Sequence, residues 1–159
     1  MGARGETLAR QFEAKAQEAT TAIEGLSDAD WRKVTNAEQW PVGVVAHHIA
    51  TAHAGLSGLV KLLADGKPGP GITMNILHEL NAKHAREFAS CTKTETVALL
   101  KANAAAAVAT LRGIGDTDFD RSGTVLAGMP PVSAGQLAAG LLCTHIDEHL
   151  GSIKATVGA

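Results

Sequence analysis

Signals that begin a helix recur along this chain and leave little room for a sheet. Ser27, Thr92 and Ser133 are each followed three residues later by Asp, Glu or Gln, which is the pattern of a capping box at a helix N-terminus. Pro41 suits the first turn of a further helix. Apolar residues follow at three- and four-residue spacing, and only residues 123–126 are compatible with a short extended piece. The sequence predicts helices over 6–23, 41–64, 72–89 and 92–113, a short one after 27, and a final one from 133 onward.

Four of these helices are long and are joined by short or medium connections, which predicts an all-α four-helix bundle. The helix over 72–89 is then an extra element between the second and third bundle helices. A length of 159 residues fits one domain, so we expect residues 1–159 to form a single domain.

Composition excludes several classes of function. The formal net charge is −2 and the charges are mixed along the chain, so there is no basic surface for nucleic acid. No run approaches the ~20 apolar residues of a membrane span, and residues 1–20 lack the apolar centre of a signal peptide. Two cysteines, Cys91 and Cys143, are too few for a disulfide framework. We therefore expect a cytoplasmic protein with reduced thiols that binds neither nucleic acid nor membrane.

Three of the seven histidines are predicted to face the core together. His145 and His149 lie four apart on one face of the last helix, in the apolar row 137-141-145-149-153. His48 lies in the apolar row 44-48-52-56-60, whereas the row through His47 is small and polar and the row through His53 is ambiguous. A buried imidazole without a partner costs about 1–3 kcal/mol, and one metal ion would satisfy all three. The alternative is three separate core histidines, each hydrogen-bonded to a carbonyl or hydroxyl group.

The last pair also fits a second motif. His145-Ile-Asp-Glu148-His149 matches the inverted zinc-peptidase pattern, in which the glutamate is the general base. Glu148 is about 60° around the helix from His145 and about 100° from His149, so it lies at most at the rim of a site. We interpret Glu148, like Asp147, as a solvated surface charge.

Two segments resemble the DinB-like superfamily. Trp40 precedes His48 by eight positions, as in the second-helix signature of that family, and residues 145–153 resemble its last-helix signature, a histidine pair followed by a glycine and an apolar residue. The resemblance implies an up-down-down-up four-helix bundle, a divalent metal on His48, His145 and His149, and frequently a homodimer. Gln39, Gly43 and Ser152 stand where the family more often has other residues.

The resemblance also implies chemistry, because several relatives are transferases or isomerases that use a low-molecular-weight thiol such as mycothiol or bacillithiol. Three hypotheses follow: a metalloenzyme that activates a thiol for transfer to, or isomerisation of, a small electrophile; a hydrolase that uses metal-bound water; and a non-catalytic, metal-stabilised binding or stress protein. Three histidines with one open position are the usual catalytic zinc arrangement, which favours an enzyme. Imidazole suits zinc, nickel, copper and iron alike, and we expect zinc or nickel.

Overall fold

The helices account for most of residues 2–158, which are the residues described by the computed structural model. They are α1 (Ala3–Glu24), α2 (Asp28–Arg32), α3 (Val42–Ala64), α4 (Met74–Glu87), α5 (Lys93–Arg112), α6 (Ala134–Gln136) and α7 (Cys143–Val157). A 3-10 turn covers Asp116–Asp120, and a π-helical segment, Leu137–Leu142, joins α6 to α7. Two-residue strands, β1 (Ser122–Gly123) and β2 (Val132–Ser133), pair in antiparallel orientation. The prediction of an all-α fold is confirmed.

The predicted capping residues begin their helices. The Ser27 hydroxyl accepts a hydrogen bond from the Asp30 backbone N–H at 3.0 Å, and the Thr92 hydroxyl accepts one from the Glu95 N–H at 3.2 Å. Ser133 and Gln136 form the complete reciprocal box. These bonds satisfy N–H groups that the first turn of a helix leaves unpaired, which is why the starts of these helices were readable from the sequence.

Four long helical stretches form the bundle: α1, α3, α5 and the final helix, of which α7 is the main part. Helix α5 packs between α1 and α3, and α7 packs on α3 and α1 from the other side. Within residues 2–158, α1 and α3 are consecutive long helices in the sequence but are not main packing partners, so they lie across the bundle from each other. The core between them contains fully buried aromatic and aliphatic side chains, including Phe12, Ile49, Leu111, Phe119 and Ile146.

Helix α4 is the predicted extra element between the second and third bundle helices. None of its residues is fully buried, and Met74, Ile76 and Leu80 are each at least 43% exposed. Its contacts with the bundle are mainly with α3.

In the described part of the chain, neither α4 nor any other helix combines the length and apolar character needed to cross a membrane.

The π-helical segment corrects one detail of the sequence analysis. The four-step row placed Leu141 on the inward face, yet Leu141 is 41% exposed and Leu142 is buried at 1%. A π-type turn takes up one extra residue, so the inward face advances by one position between Leu137 and the histidines. Beyond this segment Ile146 and Leu150 are buried, and His145 and His149, each one position earlier, are partly buried beside them.

Candidate metal centre

The three histidines that the sequence singled out come together between α3 and α7. The Nε2 atoms of His48 and His145 lie 3.1 Å apart. The ring centroids of His48 and His149 are 4.8 Å apart, and those of His145 and His149 are 4.4 Å apart. One nitrogen from each ring falls in a group whose members all lie within 4.8 Å of one another, and the three side chains are partly buried.

This cluster fits a divalent cation with nitrogen ligands. Nitrogen atoms bound at 2.0–2.1 Å around one tetrahedral ion lie roughly 3–3.5 Å from each other, so the observed 3.1 Å is compatible with a shared ion. Burial, reinforced by the neighbouring imidazoles, lowers the pKa of His48 to about 3 and that of His145 to about 4. Both rings are therefore neutral at neutral pH, and a neutral ring offers the lone pair that a metal requires.

A carboxylate supports the third ring from behind. The Nδ1 of His149 lies 2.9 Å from Oε1 of Glu38, and the Ser152 hydroxyl donates to Oε2 of Glu38 at 2.6 Å. Burial raises the pKa of the Glu38 carboxyl, but hydrogen bonds from Ser152, Thr35 and His149 together outweigh it and hold that pKa below its ordinary value. Glu38 is thus ionised and accepts a hydrogen bond from the His149 Nδ1–H, which leaves the lone pair of the His149 Nε2 free for an ion. A carboxylate on the far nitrogen of a ligating histidine is the common arrangement in metal sites.

Sequence reasoning missed Glu38. It lies in the loop between α2 and α3, in sequence 111 positions away from His149, and no spacing rule connects the two. The adjacent Gln39 has a positive φ of 60°, and its side-chain amide donates to the Asn36 carbonyl oxygen at 2.7 Å. This fixed turn places Glu38 under α7. Ser152, noted above as a departure from the family pattern, acquires a role as the second donor to Glu38.

Trp40 contacts the site from the same loop. Its ring meets the His48 ring edge to face, with centroids 5.4 Å apart. The flanking backbone is tied back by a hydrogen bond from Thr35 N–H to the Trp40 carbonyl oxygen at 2.8 Å. The indole therefore restricts the orientation of the imidazole that lies eight positions later.

Comparison with known families agrees with this geometry. The model of the DinB superfamily matches residues 11–153, which is nearly the whole chain. The chain belongs to the DinB superfamily. The resemblance drawn from Trp40, His48 and the last histidine pair is thereby confirmed. No curated protein sequence matches the chain.

Solved structures of two relatives of this DinB chain share its fold. A mycothiol-dependent maleylpyruvate isomerase is 13% identical, with a TM-score of 0.75 over 94% of this chain and 60% of that one. YfiT from Bacillus subtilis, described as a probable metal-dependent hydrolase with an unusual four-helix bundle topology, is 17% identical, with a TM-score of 0.71 over 97% of this chain and 87% of that one. The chain thus spans less than two thirds of the isomerase. At these identities the likeness establishes the fold, and the predicted four-helix bundle is confirmed.

The remaining histidines occupy different surroundings from those expected. His47 was expected on a small, polar face, but it is 6% exposed because α4 covers it, and its Nδ1 lies 2.8 Å from His84 Nε2. His53, which was ambiguous, is buried in the core against Phe12, with ring centroids 5.1 Å apart. His78 is exposed on α4.

The acidic residues beside the histidine pair do not enter the centre. Glu148 is exposed, as the sequence analysis interpreted it. The carboxylate of Asp147 binds the Lys15 ammonium at 2.7 Å on the outer surface. Burial raises the pKa of both Cys91 and Cys143, so neither thiol is ionised at neutral pH. Within residues 2–158, the carboxylate that contacts the three-histidine cluster is Glu38.

Proposed function

We propose that this protein is a metalloenzyme of the DinB type that activates a low-molecular-weight thiol for transfer to, or isomerisation of, a small electrophile. His48, His145 and His149 hold one divalent ion, for which zinc and nickel are the first candidates. The observation that carries the proposal is the convergence of three imidazole nitrogens, backed by Glu38 on the far nitrogen of His149.

Each residue of the centre has a distinct task. His48 and His145, neutral because of burial, have their Nε2 atoms 3.1 Å apart, and each would offer a lone pair to the ion. Glu38 fixes the tautomer of His149 and makes its Nε2 a stronger donor, and Ser152 holds Glu38 in place. A divalent ion held by these three histidines would supply Lewis-acid chemistry, since it would lower the pKa of a thiol and so favour the nucleophilic thiolate near neutral pH.

Thiol chemistry is favoured over hydrolysis because the nearby carboxylate, Glu38, already accepts hydrogen bonds from His149 and Ser152. A metal ion by itself lowers the pKa of bound water, but hydrolysis is faster when a general base with a free oxygen lies beside the ion. Both oxygens of Glu38 are engaged by His149 and Ser152, and Glu148 is exposed on the outer side of α7. The mycothiol dependence of one structural neighbour supports the same choice, whereas YfiT, a probable metal-dependent hydrolase, keeps hydrolysis as the second candidate.

The test combines spectroscopy with turnover. Cobalt(II)-loaded protein is titrated with mycothiol, bacillithiol and cysteine, and thiolate binding is followed by the sulfur-to-cobalt charge-transfer band. Zinc- and nickel-loaded protein is then assayed for thiol-dependent conversion of maleylpyruvate and of a chromogenic aryl halide. The proposal expects a charge-transfer band and turnover that require both metal and thiol, and both are expected to disappear in His145→Ala.

Two outcomes would contradict it. Ester hydrolysis that depends on metal but not on thiol, and that falls strongly in Glu148→Ala with metal retained, would support the hydrolase instead. A metal-loaded protein whose cobalt spectrum is unchanged by every thiol would exclude thiol activation at this centre.

A further inference from the structure

Helix α4 is attached at the candidate metal centre through an aromatic cluster. Its outer face is exposed, and none of its residues is fully buried. On its inner face the His84 Nε2 lies 2.8 Å from the His47 Nδ1. Phe88, just after the helix, stacks on the His47 ring at a centroid distance of 4.0 Å and lies 4.9 Å from the His84 ring. These three rings fix where α4 lies relative to α3.

The same contacts bring His84 to the edge of the three-histidine cluster. Its ring centroid lies 5.6 Å from that of His48. His84 comes from a different element than the three candidate ligands and is not part of their group. It therefore lies beside the ion's position without being positioned as a ligand.

One nitrogen of His84 is buried and has no partner. The Nε2 is used by His47, whereas the Nδ1 is inaccessible to solvent and forms no hydrogen bond within residues 2–158. Native proteins rarely leave such an atom unpaired, so each one calls for a physical explanation, such as a catalytic role or a bound water or ion. When His47 donates its Nδ1 proton to the His84 Nε2, the His84 Nδ1 carries a proton and is a hydrogen-bond donor.

We propose that His84 contacts the small molecule that binds at the metal centre, donating a hydrogen bond from Nδ1 to an acceptor atom of that molecule, a thiolate sulfur or a carboxylate oxygen. This inference rests on the proposed function, because it needs an ion on His48, His145 and His149 to bring the molecule there. His47 is then a positioning residue that sets the tautomer and orientation of His84. Helix α4 then supplies a wall of the site next to α3, through the contact of His84 with His48.

The test uses cobalt(II)-loaded full-length protein and mercaptoacetate as the probe, since it offers both acceptor types. The dissociation constant is read from the visible cobalt bands in the parent, His84→Ala, His84→Gln and the matched control His78→Ala, which alters an exposed histidine of the same helix. His84→Ala is expected to keep one equivalent of cobalt and its probe-free spectrum but to bind mercaptoacetate about fivefold more weakly, the value of one ordinary hydrogen bond. His84→Gln, whose amide can donate, recovers part of the loss, and His78→Ala matches the parent.

The outcomes separate this inference from the proposed function. Equal mercaptoacetate affinity in the parent, His84→Ala and His84→Gln would overturn the contact while leaving the metal centre intact. Loss of cobalt from both His84 variants would also overturn it, because His84 would then hold the ion or the fold rather than the probe. Failure of the parent itself to bind cobalt would instead defeat the proposed function.

Discussion

Removal of the Glu38 carboxylate is the perturbation whose size the structure predicts best. Glu38 is 10% exposed and His149 is 17% exposed, so solvent screens their 2.9 Å contact only weakly. A hydrogen bond to a charged group is worth about 1.5–3 kcal/mol. At about 1.4 kcal/mol per factor of ten, Glu38→Ala should weaken metal binding roughly 10- to 100-fold. The same range is typical for loss of a carboxylate behind a ligating histidine.

The assay is competition for zinc against a chromophoric chelator at pH 7, with circular dichroism to verify the helical content of each variant. Glu38→Gln keeps the size and one acceptor but loses the charge, so its affinity should lie between those of the parent and Glu38→Ala. Ser152→Ala removes one of the donors to Glu38 and should weaken metal binding less than Glu38→Ala does, because Glu38 keeps its charge and its contact with His149. The matched control is Glu148→Ala, which removes an exposed carboxylate on α7, the helix that carries His149 and Ser152. Parent-like zinc affinity in Glu38→Ala would refute the role given to this carboxylate.

Further predictions concern the metal-free protein. Burial lowers the pKa of His48 to about 3 and that of His53 to about 4. As the pH falls, these two histidines are protonated in the unfolded chain before they are protonated in the folded chain. The free energy of unfolding should therefore fall between pH 6.5 and pH 4. Melting temperatures across that range check this, and a flat profile would contradict it. His53→Leu removes a buried, unpartnered Nε2, so urea unfolding at pH 7 should show an unchanged or higher stability, by up to about 1 kcal/mol; a clear loss would show that the nitrogen is paired. Gly43→Ala would place a Cβ 2.3 Å from the Trp31 ring and should destabilise the fold by about 1–3 kcal/mol. The Cβ of Gly55→Ala, in the same helix, would meet nothing within 4 Å, so this substitution should stabilise the fold by about 0.5–1 kcal/mol. Equal effects of the two substitutions on the free energy of unfolding would be inconsistent with this packing.

Local signals explain how much of the fold was predictable from the sequence. Capping boxes and apolar periodicity located the helix starts, because both depend on residues within one or two turns of each other. The choice of His48 over its neighbour His47 followed from helix geometry and from its spacing to Trp40, and the structure brings His48 to the α7 pair. Helix bounds differ from the predicted ones by up to three residues, since α1 begins at Ala3 rather than at residue 6 and α4 covers Met74–Glu87 rather than 72–89.

The sequence did not reveal one irregularity within a helix and two contacts between distant segments. The π-helical turn is a choice of hydrogen-bonding pattern within the helix, and it moved Leu142 rather than Leu141 to the inside. Glu38 meets His149 only after the loop before α3 folds under α7. His47 became buried only because α4 places His84 on it, and no periodicity within α3 could indicate that cover.

The central claim is that His48, His145 and His149 hold one divalent ion, and metal content tests it most directly. Tag-free parent protein, His149→Ala and the control Glu148→Ala are purified without added metal and measured by plasma mass spectrometry, before and after loading with zinc or nickel. About one equivalent is expected in the parent and in Glu148→Ala, and a large loss of metal is expected in His149→Ala. Absence of bound metal from the parent even after loading would contradict it and would leave a helical bundle with three partly buried histidines.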